Sequence, residues 1–79
     1  MLSVLGITEA LFGITKHALG IYETKQARKY LDRVLYLEKL YYAEENKNEN
    51  DRNHALMDNA INELCLITKT VASFKKPNP

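Results

Sequence analysis

Residues 5–22 read Leu5-Gly6-Ile7-Thr8-Glu9-Ala10-Leu11-Phe12-Gly13-Ile14-Thr15-Lys16-His17-Ala18-Leu19-Gly20-Ile21-Tyr22, so that an apolar residue, a glycine and an isoleucine recur together at 5–7, 12–14 and 19–21. The interval of seven is close to two turns of an α-helix, which stacks equivalent side chains along one line of the helix surface. A glycine in a helix interior costs about 1 kcal/mol relative to alanine, so Gly6, Gly13 and Gly20 together imply roughly 3 kcal/mol that contacts beyond the helix must offset. This stretch is therefore read as a helix that depends on packing against something else.

On an ideal helical wheel Val4, Leu5, Ile7, Leu11, Phe12, Ile14, Ala18, Leu19 and Ile21 form one broad apolar stripe that also holds Thr8, Thr15 and Tyr22. The other side carries Ser3, Gly6, Ala10, Gly13, His17, Gly20, Thr24 and Ala27 at spacings of three and four. Small side chains at such spacing allow another backbone to approach closely, in soluble bundles as in membranes. The expectation is that residues 2–22 form an association segment with two usable faces. Leu5, Gly6, Ile7, Leu11, Phe12, Gly13, Ile14, Leu19, Gly20 and Ile21 are its candidate interface residues.

Working outward, residues 22–45 contain no glycine, proline or asparagine, and Ala27, Tyr30, Leu31, Val34, Leu35, Leu37 and Tyr41 make a new helical stripe, rotated by about a third of a turn from the first. Either the chain breaks near Gly20, giving three helices, or one long helix continues and changes partners. Lys25, Arg28 and Lys29 suit the start of a helix poorly, because the helix dipole favours acids there, and only Thr24 offers a cap. The preferred expectation is one long first helix, bent near Gly20, with the three-helix arrangement as the alternative.

Asn46-Lys47-Asn48-Glu49-Asn50 reads as a loop, after which Asn50 or Asp51 is expected to cap a last helix with a stripe of Leu56, Met57, Ala60, Ile61, Leu64, Ile67, Val71 and Phe74. The segments 24–46 and 51–74 have similar lengths and a short connection, which predicts an antiparallel helical hairpin, with 75–79 as a C-terminal tail. The fold class is all-α, and residues 1–79 make one helical domain whose small core is expected to be completed by oligomerisation.

Charge adds a direction. With 11 Lys and Arg against 10 Asp and Glu the net charge is only +1. The hairpin, however, would gather Lys25, Arg28, Lys29, Arg33, Lys69, Lys75 and Lys76 into a basic pole and Glu44, Glu45, Glu49 and Asp51 at the loop end. Such polarity suits head-to-tail association or a basic pole on anionic lipid, although exposed charge pairs are individually worth little.

Reactive chemistry is sparse. His17 and His54 lie in different elements, and no paired-histidine or paired-cysteine metal spacing occurs. Asp51, His54 and Asp58 share a helix face where a cation could bind weakly, but an ordinary charged surface accounts for them. Cys65, the single cysteine, lies off the core stripe without a local base and is expected to be a quiet, partly buried thiol. No nucleophile, base and orienting group can be assembled, so neither a catalytic role nor a cofactor is expected. Lys25, Arg28, Lys29 and Arg33 resemble a phosphate-contacting face, yet Asp32 interrupts them and the pI of 7.8 is low for a nucleic-acid binder, which makes that partner an unfavoured one.

Glu9, Lys16 and His17 break the apolar run that a signal peptide or a conventional transmembrane span would need. A helix lying on a membrane surface is still allowed. The glycine-punctuated apolar start followed by Gln26-Ala27-Arg28-Lys29 is similar in texture to small phage assembly or penetration proteins, a likeness of about thirty residues that carries no functional residue with it. The leading expectation is a non-enzymatic helical interaction protein, cytoplasmic or within a larger assembly, that self-associates or docks a protein partner through residues 2–22. Peripheral membrane binding beside the basic pole is the second expectation, and a small helical inhibitor or adaptor the third.

Overall fold

In the computed structural model the described residues are 4–74, with side chains described from residue 6 onward. They form helices α1 (Val4–Ile21), α2 (Lys25–Glu45) and α3 (His54–Ala72), with one 3-10 turn, Glu49–Asp51, between the last two. No strand occurs among the described residues.

The long first helix is not formed. The chain leaves helical geometry at residues 22–24, and Thr24 becomes the N-cap of α2 with φ −116° and ψ 157°, its Oγ1 accepting the Ala27 N–H at 3.0 Å. Gly20 is not the terminating residue, since no described glycine has positive φ and Gly20 lies inside α1. The break lets two stripes rotated against each other be buried in one core. Its cost is a first turn of α2 without an acid, about 0.3–1 kcal/mol for an unfavourably placed exposed charge. Burying Phe12 and Leu19, both essentially inaccessible, returns about 1.5–3 kcal/mol each and decides the outcome.

The cap of α3 also differs from the expectation. Asn53, not Asn50 or Asp51, stands at the N-cap with its Oδ1 accepting the Leu56 N–H at 3.1 Å, because residues 49–51 are used up in the 3-10 turn.

Contacts set the directions of the helices. Phe12 packs on Tyr41 and Tyr42 with ring centroids 6.1 and 6.0 Å apart, and Lys16 pairs with Glu38 at 2.9 Å, so α1 and α2 run in opposite senses. Between α2 and α3, Glu44 meets Asn53, Arg33 meets Glu63 and Tyr30 meets Phe74, again in opposite senses. Helix α1 then follows α3, through Thr15 on Thr68 and an edge-on contact of Tyr22 with Phe74 at 5.2 Å.

One core joins all three: Phe12 and Leu19 from α1, Ala27, Val34, Leu37 and Tyr41 from α2, and Met57, Ala60, Leu64, Ile67 and Val71 from α3. The radius of gyration is 13.8 Å, against about 11.6 Å for a compact chain of this length, and the principal extents are 49 × 29 × 15 Å. Three helices in so thin a slab enclose a single layer of side chains and leave an outer face of each helix in water.

Two threonines tie α1 to α3. The Thr15 and Thr68 hydroxyl oxygens lie 2.9 Å apart, and Thr68 Oγ1 donates to the Leu64 carbonyl at 2.8 Å. A hydroxyl has one proton, so Thr15 is the donor between them and Thr68 accepts. Thr68→Val should cost about 1–3 kcal/mol, because it strands the buried Thr15 hydroxyl, whereas the double variant Thr15→Val/Thr68→Val should be less destabilised than the sum of its singles. Urea unfolding of the four proteins in this cycle measures the coupling, and additive losses would mean that the two hydroxyls do not interact.

Candidate interaction surface on the first helix

Only a narrow line of α1 faces the core. Thr8, Phe12, Thr15 and Leu19, at spacings of four, three and four, are buried, and Leu11, Ala18 and Tyr22 pack half-buried beside them. Ile7, Ile14 and Ile21 each precede Thr8, Thr15 and Tyr22 by one residue, a rotation of about 100° that turns them outward. They are 54%, 66% and 59% exposed.

This divides the expected interface set. Phe12 and Leu19 are spent on the intramolecular core, and Leu11 largely so, which removes them from any outer surface. Ile7, Gly13, Ile14, Gly20 and Ile21 remain outside, together with Ala10 and His17, and Gly6 is half-buried. The side chain of Leu5 falls outside the described residues. The helical wheel places Thr8, Thr15 and Tyr22 in the apolar stripe, and what it misses is that Ile7, Ile14 and Ile21, at the edge of that stripe, face outward. The usable signal was the width of the stripe, about 200° of the wheel, which two neighbouring helices cannot cover.

Gly13 and Gly20 have no steric reason inside the molecule. A Cβ added at Gly13 or Gly20 meets nothing within 4 Å. The outer face of α1 is thus a row of isoleucines beside a row of shallow positions, with Ala10 and His17 between them.

The basic pole is only partly assembled. Arg33 is bidentate on Glu63, with Nε donating to Oε2 and Nη2 to Oε1 at 2.7 Å, and its guanidinium lies 5.1 Å from the Tyr36 ring centroid. The hydrogen bond to Glu63 raises the Arg33 pKa, and the same bond lowers that of Glu63. Lys25, Arg28, Lys29 and Lys69 make no ion pair among the described residues, and Lys75 and Lys76 lie outside them. Lys25 and Arg28 border a shallow groove with Leu19, Gly20 and Tyr22 where α1 passes into α2. Lys29 borders another between α2 and α3, beside the exposed Leu66.

At the loop end two of the four acids, Glu44 and Glu45, are met by nearby cations. Glu44 accepts from Lys47 Nζ at 2.8 Å and from the Asn53 N–H at 2.9 Å, while Arg52 approaches Glu45 at 3.7 Å. Lys47 and Arg52 therefore weaken the strongly polarised picture expected from the chain order. The Lys47 bond foremost, with the Asn53 N–H, holds the Glu44 carboxyl below its ordinary pKa.

Cys65 is exposed, not partly buried. Among the described residues no group of three or more His, Cys, Asp or Glu side chains is placed to hold a metal ion, and no helix is long and apolar enough to cross a membrane. No known protein family, curated protein or solved structure matches this chain.

Gly13→Ala should raise the stability of the isolated chain by about 1 kcal/mol, seen as a melting shift of roughly 4–8 °C, since the new methyl meets open space and alanine is the better helix former. A lowered melting point at dilute concentration would reveal an intramolecular contact at that position. For Glu44, a folded-state pKa below the ordinary 4.5 means its contribution is present above that value and lost as pH falls through the lower folded one. Glu63 acts in the same window through Arg33. Urea midpoints measured from pH 7 down to pH 3 should fall for the natural chain and fall less for Glu44→Gln, the two curves converging at the acid end; parallel curves would remove Glu44 from the acid response.

Proposed function

We propose that this chain is a non-enzymatic helical interaction protein that self-associates through the outer face of α1, with an α2–α3 hairpin as the platform holding that face outward. The exposed row of Ile7, Ile14 and Ile21 carries the reading. Three large aliphatic side chains at one heptad phase are a self-consistent docking edge, unlike isolated exposed leucines, which are ordinary.

Magnitude sets the kind of association. The 18 residues of α1 span about 27 Å, and a strip about 10 Å wide gives roughly 270 Å² per copy, about a third of the roughly 800 Å² per partner of a stable interface. The association is accordingly weak and reversible, or strengthened by repetition in a larger assembly.

A second reading, docking on an anionic membrane surface, draws on Ile21 lying at the same end of α1 as Lys25 and Arg28. It is less favoured because interfacial helices carry cations along their flanks. Here Glu9 stands on the flank, and Lys16 is engaged by Glu38. Docking in another protein's groove as an inhibitor or adaptor would use the same row.

Sedimentation equilibrium from about 10 µM to about 1 mM, the range such a small footprint calls for, should show a concentration-dependent mass above 9.1 kDa. Ile14→Asp should keep the helical signal and melting of the monomer but abolish the mass increase. A natural chain that stays monomeric throughout overturns self-association, and co-flotation with anionic vesicles that disappears in high salt would move the function to the membrane.

A further inference from the structure

We infer that the second copy packs against α1 in parallel and in register, each isoleucine of one copy lying beside a glycine of the other; this rests on the self-association proposed above. The ground is the phase of the repeat on the exposed face. Ala10 and His17 lie on a centre line, Gly13 about 50° to one side of it and Ile14 about 50° to the other, and Gly20 and Ile21 repeat the arrangement two turns on.

The handedness of that face distinguishes the two possible symmetric pairings. A two-fold axis parallel to the helices sets the glycine side of one copy against the isoleucine side of the other at the same height. An axis perpendicular to them sets glycine against glycine and isoleucine against isoleucine. Only the parallel pairing makes a knob and a hole of every Gly-Ile step, with Ile14 of one copy entering a site bounded by Ala10, Gly13, Ile14 and His17 of the other.

Two features of the outer face fit this geometry. Ile14 and Ile21 protrude into solvent at 66% and 59% exposure, and an added Cβ at the neighbouring Gly13 or Gly20 meets nothing in its own chain. The glycines are therefore an unfavourable choice for the helix that no contact within the chain explains, and their places have the shape the protruding side chains need. The flanking Lys16 does not oppose the pairing, since it is held back on Glu38.

The experiment uses the full chain with Cys65→Ser, adding either Ala10→Cys or His17→Cys, under mild oxidation at associating concentration. These positions are about 10.5 Å apart along the helix. In a parallel pair both lie near the axis, so each variant should cross-link to its own copy. In an antiparallel pair at most one position can lie on the axis, so self-cross-linking at both is excluded. In a companion measurement Gly13→Leu should weaken association by roughly tenfold to a hundredfold, the ratio that overpacking of about 1–3 kcal/mol produces, while Gly13→Leu monomers stay helical.

Association with self-cross-linking at only one position, or at neither, overturns the parallel register and leaves the self-association reading standing. Association unchanged by Gly13→Leu overturns the glycine hole. A chain that never associates ends both readings at once, and sedimentation identifies that case before any cross-link is scored.

Discussion

The seating of Phe12 between α1 and the tyrosines of α2 is the interaction on which the rest of the structure depends. Phe12 is fully buried against Tyr41 and Tyr42, and Leu19, two turns along the same line, is buried with it. Removing a phenylalanine from water is worth about 1.5–3 kcal/mol, with about 0.5–1.5 kcal/mol more for aromatic pairing. In a chain of 79 residues that is a large share of the net stability a single core supplies. It also fixes the rotation of α1 about its own axis, and every property of the outer face follows from that rotation.

Once Phe12 and Leu19 point inward, Thr15 must follow, because it lies between them along the helix and within about 60° of both on the wheel. Its hydroxyl is satisfied by Thr68, whose own proton is held by the Leu64 carbonyl. The buried threonine line is thus chemically complete, and Ile14, one residue before Thr15, has no inward position left. The thin slab leaves nothing to cover it from outside. An exposed isoleucine row is in this sense a consequence of core geometry, and Gly13 and Gly20 beside it are the feature that core geometry leaves unexplained.

Charge contributes organisation more than strength. Arg33 on Glu63 ties α2 to α3, Lys16 on Glu38 ties α1 to α2, and Glu44 secures the turn into α3 through Lys47 and Asn53. Each pair is exposed or partly exposed and individually modest. Together they cross-brace the flat arrangement at places where the apolar layer is thin. They also engage one cation of the expected basic pole, Arg33, and one acid of the opposite end, Glu44, while Lys25, Arg28, Lys29 and Lys69 make no ion pair among the described residues.

The sequence by itself determined that the chain is helical, where its loop lies, and which faces of α2 and α3 meet, because those depend on local periodicity, caps and unbroken stretches. Its stripes on α2 and α3 named every buried apolar residue of those helices, but the α2 stripe also held Leu35, which is 46% exposed, and left out the buried Glu44. It did not determine where the first helix stops or which part of a stripe 200° wide is buried, since both depend on how many neighbours a helix acquires. Only the tertiary structure decided that Thr24 begins a new helix, that the isoleucines of the α1 stripe are left outside the core while its threonines stay in it, and that Gly13 and Gly20 stand in open space. The physical reason is that periodicity ranks side chains by their own hydropathy, whereas burial is allotted by the directions from which other helices arrive.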